Sequence, residues 1–137
     1  MSEALLAELE LACFGRGAWT RDQLTASLAS ERTIVATLAT DAYALGQIVV
    51  DELELFRIGV RPSARRRGLG QQMFAEFARK AVTMGAAVLH LEVRADNLPA
   101  LTMYRQLGLQ ELGRRPRYYA DQCDAVLMSM PLGSKGE

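Results

Sequence analysis

Apolar residues recur at a helical interval from the start of the chain. Leu5, Leu6, Leu9 and Cys13 fall on one stripe, which predicts a helix over residues 2–13 with Ser2 as its N-cap. Gly15, Arg16 and Gly17 end it. Thr20 with Gln23 three residues on has the form of a capping box, so a second short helix should run to about residue 29. The period then changes to that of strands. Residues 33–39 and 43–50 are rich in β-branched and apolar side chains, with Thr40 and Asp41 marking a turn. Residues 53–60 read as a third strand, entered by a turn at Asp51 and Glu52 and left at Arg61 and Pro62.

A strongly amphipathic helix follows, with Leu69, Met73, Phe74, Phe77, Ala81 and Val82 on one face and Gly85 at its close. Residues 87–93 form a strand. Asp96, Asn97, Leu98 and Pro99 open another helix, which Pro tolerates in its first turn and which ends at Leu107 and Gly108. Residues 109–113 and 124–130 read as two last strands, joined by a polar stretch holding Tyr118 and Tyr119. The order is helix, helix, three strands, helix, strand, helix, two strands. The central meander implies antiparallel pairing, and the strand–helix–strand unit after it implies a right-handed parallel crossover. An α+β domain follows, with a mixed, mostly antiparallel sheet flanked by helices over residues 1–133, and a polar tail at 134–137.

Composition narrows the function. The chain has 137 residues, of which 50% are hydrophobic, too apolar for a disordered segment. Sixteen basic and sixteen acidic residues cancel, which argues against direct nucleic-acid binding. No apolar run suits a membrane span, and the N-terminal residues lack a basic leader. Cys13 and Cys123 are far apart with no metal-ligand spacing, and His90 is the single histidine, so no metal site and a cytoplasmic location are expected.

The strand leading into Arg65, Arg66, Arg67, Gly68, Leu69 and Gly70 carries the first chemistry. A helix N-terminus offers unpaired N–H groups and partial positive charge, and the glycines admit a ligand close to the backbone. Arg57 and Arg61 precede the same helix, and no acid lies between Leu55 and Ala75, so a pyrophosphate would be favoured. Met73 breaks a GxGxxG pattern, and no Gly-Lys-Ser/Thr follows, which removes dinucleotide and NTPase readings. The bland alternative is a solvated basic face whose glycines only shape a turn.

This turn resembles the pyrophosphate-binding motif Arg/Gln-x-x-Gly-x-Gly/Ala of the Gcn5-related N-acetyltransferase superfamily, matched by Arg65, Gly68 and Gly70. The resemblance continues through Leu91, Glu92, Val93, Arg94, Ala95, Asp96 and Asn97, then Ala100 to Tyr104, then Leu107, Gly108 and Leu109. That run is similar to the ribosomal-protein alanine N-acetyltransferase family, as are residues 51–60 and 114–119. The likeness spans roughly residues 17 to 132. It implies the acyl-CoA N-acyltransferase (GNAT) fold and acetyl-CoA as donor. It implies cofactor contacts at Ile58, Gly59 and Val60, at Arg65, Arg66, Arg67, Gly68, Leu69, Gly70 and Gln71, and at Asn97 and Tyr104. It implies Glu92 as general base and Tyr104 as general acid. The acceptor would be a protein or peptide N-terminus, with alanine of a small-subunit ribosomal protein as one candidate.

The residues suit that chemistry. Neutralising an α-amine of pKa 7.7–8.0 at pH 7 costs about 1 kcal/mol, against about 4–5 kcal/mol for a lysine near 10.4. A modest carboxylate base suffices for the first. Half-burial at the end of an apolar strand would suit Glu92 to that task; the alternative is an exposed residue paired with Arg94 or a neighbour. Asn97 and Tyr104 lie seven apart on one helical face; alone, the first is equally an N-cap and the second a core aromatic. A bulge or splay beside residues 58–60 would free backbone N–H groups for the thioester carbonyl, and Gly59 is compatible with it. His90, on the strand face of Glu92, reads as structural, the alternative being a group that tunes the base or touches the acceptor; Cys123 reads as a buried, inert thiol, the alternative being an acyl-carrying nucleophile. Trp19, Tyr118 and Tyr119 either pack or border the acceptor.

Two departures from the family pattern stand out. Its opening edge strand is expected to be absent or very short, which would leave the next strand open to self-association and makes an oligomer one outcome. The stretch between Tyr119 and Asp124 is short, which bears on the acceptor pocket. Acetylation of a lysine, polyamine or small amine, and a non-catalytic acyl-CoA-binding module, are the competing functions.

Overall fold

The computed structural model describes residues 3–133; the expected Ser2 cap and the 134–137 tail lie outside them. Helix α1 (Glu3–Phe14) leads through a 3-10 turn at Gly15–Gly17 into α2 (Arg21–Leu28). Strands β1 (Thr33–Leu38), β2 (Ala42–Val49) and β3 (Glu52–Val60) follow. After a 3-10 turn at Pro62–Ala64 come α3 (Leu69–Thr83), β4 (Val88–Arg94), α4 (Leu98–Gln106), β5 (Gln110–Arg115) and β6 (Ala125–Pro131). The local signals act as expected. Thr20 and Gln23 form a reciprocal capping box, and the Asn97 side chain caps α4 at the Ala100 N–H, 3.2 Å away.

The six strands form one open sheet in the order β1-β2-β3-β4-β6-β5. All pairs are antiparallel except β3 with β4, the parallel pair that α3 connects. This is the expected α+β architecture, with α1 the first element among the described residues and β1 at the sheet edge. No helix among them is long and apolar enough to cross a membrane.

Alternation along the strands sends side chains to two cores. On one face Leu53, Leu55, Leu89 and Leu91 pack with Met73, Phe74 and Phe77 of α3. On the other, Tyr43 and Leu45 pack with Leu6 and Leu9 of α1 and Leu24 of α2. β2 therefore reads as a continuous buried run, because both its faces are covered. The stripe of α1 is shifted from the expected one. Leu6, Leu9 and the charged Glu10 are fully buried, while Leu5 and Cys13 are only half-buried.

Two irregularities shape the site. β3 and β4 pair only at Glu52 with Val88, Leu53 with Leu89 and Glu54 with His90. Both strands run on beyond that point without each other. In addition, Leu45 pairs with Arg57 and Gly46 with Leu55, so Phe56 is a bulged residue of β3. Gly46 makes that bulge possible: a Cβ there would lie 2.3 Å from the Glu54 carbonyl oxygen and 2.7 Å from Phe77.

Candidate active site

The divergence of β3 from β4 opens a cleft through the middle of the sheet. Its first part, about 460 Å3, lies between the end of β3 and the starts of α3 and α4. Ile58, Gly59, Val60, Arg65 and Arg66 line it, together with Gly68, Leu69 and Gly70. Arg67 and Gln71 are exposed on the same turn, outside that lining. Gly68 caps α3 at φ 75°, a left-handed conformation that favours glycine. The first bond closing the helix runs from the Gln72 N–H to the Gly68 carbonyl, 3.1 Å. The amides of Leu69, Gly70 and Gln71 are thus orphan donors at the positive end of a fifteen-residue helix. A Cβ on Gly70 would reach only ordinary contact, 3.4 Å from the Met103 sulfur, so the protein's own packing does not demand glycine there.

The arginines divide in a way the sequence did not indicate. Arg57 binds the buried Glu10, and Arg61 binds Glu8 at 2.9 Å and the Thr40 carbonyl. These two are spent on the fold rather than on an anion. Arg65 donates to the Val60 carbonyl at 2.9 Å and ties the turn to β3. Arg66 and Arg67 remain exposed, with no partner among the described residues, and Arg66 holds a positive φ of 67°. The turn therefore keeps its orphan amides and two unpaired arginines, fewer free charges than expected.

A second cavity of about 440 Å3 adjoins the first and shares Phe14, Ile58, Ala100 and Met103 with it. Glu92, Asn97 and Tyr104 all line it, so the structure brings these three together. Tyr104 is 7% exposed, its ring tilted against Phe74 at 6.3 Å. Burial pushes its phenol up to about 12, so it stays protonated at neutral pH. Its hydroxyl has no hydrogen-bond partner among the described residues. Asn97 spends its oxygen on the α4 cap, which leaves its NH2 group free. Beyond Glu54, the β3 groups that would pair with β4 face this cavity unpaired.

Glu92 is half-buried and forms an ion pair with Arg115, its carboxylate oxygen 2.8 Å from Nε. Arg94 instead binds Asp96 and Asp121. His90 sits 2.8 Å from a Glu52 oxygen and is a satisfied strand residue. Cys123 is half-buried, its thiol 3.5 Å from the Asp124 carbonyl. Glu54 was not foreseen. It stands on the rim near Glu92, and desolvation first, then the Glu92 charge, raises its carboxyl above the usual carboxylate range. The pairing of Glu54 with His90 across the last rung before the strands part was the available signal, but it needed the register.

The cleft leaves the protein at a mouth of about 350 Å3, lined by Trp19, Phe56, Tyr118 and Tyr119 and by the carboxylates Glu54 and Glu92. Tyr118 meets Tyr119 edge-on at 5.2 Å, and burial raises the Tyr119 phenol. Among the described residues no group of three or more His, Cys, Asp or Glu side chains is placed to hold a metal.

Residues 6–109 match the Acetyltransferase (GNAT) family. The chain is 39% identical over 94 residues to the ribosomal protein bS18-alanine N-acetyltransferase of Salmonella typhimurium, over 66% of this chain and 64% of that protein. It thus spans just under two thirds of the length of that relative. The crystal structure of the ribosomal-protein-S18-alanine N-acetyltransferase of Escherichia coli superposes with a TM-score of 0.86 at 30% identity, covering 98% of this chain and 90% of that one. A Bacillus subtilis acetyltransferase in complex with CoA shares the fold, with a TM-score of 0.78 at 18% identity over 97% of this chain and 95% of the other.

Proposed function

Because the chain belongs to the GNAT acetyltransferase family, we propose that it moves the acetyl group of acetyl-CoA to the α-amine of a protein N-terminus. The observation that carries this reading is the cleft itself. It joins an anion-binding helix end, a carboxylate–phenol pair and an aromatic mouth in one passage through the sheet. The residues present fit acetyl-CoA: orphan amides at Leu69, Gly70 and Gln71 and the free Arg66 and Arg67 for its pyrophosphate, and the walls at Ile58, Gly59 and Val60 for the pantetheine arm.

In this reading the β3 groups left unpaired beyond Glu54 polarise the thioester carbonyl. Glu92 accepts the proton of the attacking amine, directly or through water, once Arg115 yields its place. Tyr104 donates to the sulfur as the thiolate leaves. Asn97 steadies the pantetheine amides with its free NH2 group. The low cost of neutralising an α-amine favours a terminal acceptor over lysine, since the bases lining the mouth are the carboxylates of Glu54 and Glu92. Relatives are named for alanine of ribosomal protein S18, and we extend that acceptor to this chain as the first candidate.

The test is release of free thiol from acetyl-CoA across peptides of varied first residue. An alanine-starting peptide with blocked lysines should react, and its N-terminally blocked form should not. Turnover on lysine alone would transfer the reading to side-chain acetylation. Acetyl-CoA binding with no Glu92-dependent turnover would leave only a binding module.

A further inference from the structure

Beneath the acceptor mouth lies a buried ionic cluster that the reaction itself does not use. Glu10 is fully buried in α1. Its two oxygens accept from the Trp19 N–H at 2.7 Å, from the Arg57 NH2 and Nε at 3.0 and 3.1 Å, and from the Tyr43 hydroxyl. Arg57 in turn donates to the Gly17 carbonyl at 2.9 Å. Its guanidinium lies 4.0 Å over the Phe14 ring and 5.5 Å from the Trp19 ring. Trp19 rests against Phe56, ring centroids 6.2 Å apart, and Arg57, Phe56 and Trp19 all line the mouth.

A buried ion pair is a poor device for stability, because desolvation consumes most of the attraction. Its value here is geometric. Trp19 packs at the margin of the second core, but the residues before it have little else to hold them: a Cβ at Gly15 or Gly17 would meet open space, and Ala18 makes one backbone bond, to Gly15. Glu10 and Arg57 grip that segment at Trp19 and at Gly17, and neither bonds to the Arg65–Gln71 turn.

We propose that Glu10 and Arg57 are the positioning pair of the acceptor site, fixing the Gly15–Trp19 segment against β3 so that Trp19 and Phe56 form a rigid wall for the first residues of the acceptor. The proposal rests on the acceptor-mouth reading above. It predicts that loosening the pair weakens acceptor binding and leaves the cofactor turn unchanged.

The test uses the full chain with Arg57→Lys, which keeps the charge and loses the fork, and Glu10→Gln, which keeps the shape. Trp19 is the single tryptophan, so its emission reports the segment directly. Both variants should raise the acceptor-peptide KM by about tenfold or more. Their kcat and the calorimetric Kd for acetyl-CoA should stay within about threefold of the parent, and acrylamide should quench Trp19 more strongly. Arg57→Lys should lie between the parent and Arg57→Gln. An unchanged acceptor KM, or a parallel loss of acetyl-CoA affinity, would overturn the assignment. Should a variant fail to fold, the parent decides: reactive peptide added to the acetyl-CoA complex should shift Trp19 emission, and no shift overturns the wall. Quenching needs no acceptor, so it tests the pair even if N-terminal acetylation itself proves wrong.

Discussion

Tyr104→Phe removes a single oxygen from a side chain that is 7% exposed and keeps the ring packed against Phe74. No hydrogen bond among the described residues is lost with it, so the fold should barely notice; stability should change by less than about 0.5 kcal/mol. The effect belongs to chemistry. General acids contribute typically about 10²–10⁴-fold. The phenol here, pushed up to about 12, is a weaker acid than a thiol near 8.5, so it stabilises the departing sulfur mainly by donating a hydrogen bond. That mismatch selects the low end: about a hundredfold loss in kcat, or ~2.7 kcal/mol of barrier. The acetyl-CoA Kd should not move. Thiol-release kinetics with the alanine-starting peptide measure kcat, and calorimetry measures the Kd. An acetyl donor whose aryl thiol leaves readily as an anion should recover most of the lost rate, because it does not need the donor. A variant with kcat within twofold of the parent, or one equally slow with the aryl thioester, would refute the role given to Tyr104.

Three further outcomes test the site's construction. Gly46→Ala would press its methyl into the Glu54 carbonyl and the Phe77 ring, so scanning calorimetry should show a loss of about 1–3 kcal/mol, roughly 3–10 °C in Tm. At Gly70 an added Cβ would meet the Met103 sulfur at 3.4 Å and the Val60 side chain at 3.9 Å, and the branches of Gly70→Val would reach into the cleft; the acetyl-CoA Kd should weaken about tenfold or more, and an unchanged Kd would remove the turn from the cofactor site. Glu54 is held above the usual carboxylate range by desolvation and then by the Glu92 charge, so the folded protein binds its proton more tightly than the unfolded chain does. Its contribution to stability is then full below the unfolded value and lost as pH rises through the folded one. Glu54→Gln should therefore raise Tm at neutral pH and leave it unchanged near about pH 3.

The amino-acid sequence by itself determined the order of elements, the capping of α2 and α4, the buried stripe of α3 and the glycine turn before it. Each depends on neighbours three or four residues apart in a helix, or two apart in a strand, so each is written locally. Glu92, Asn97 and Tyr104 were legible as a group through the family resemblance, whose run covers the strand end and the following helix that carry all three. What only the tertiary structure decided were relations between distant segments. The parting of β3 from β4 after Glu54 and His90 depends on pairing across the sheet, and the Phe56 bulge on how closely Gly46 meets Glu54 and Phe77. Whether Arg57 serves a ligand or the fold was settled 47 residues upstream, by Glu10. Arg115 of β5, likewise, reaches Glu92 of β4 across the intervening β6, a neighbourhood set by the strand order of the sheet. Charge has no period along the chain, and its partner is chosen by packing, so the fate of each arginine could not be read before the sheet and helices had closed around it.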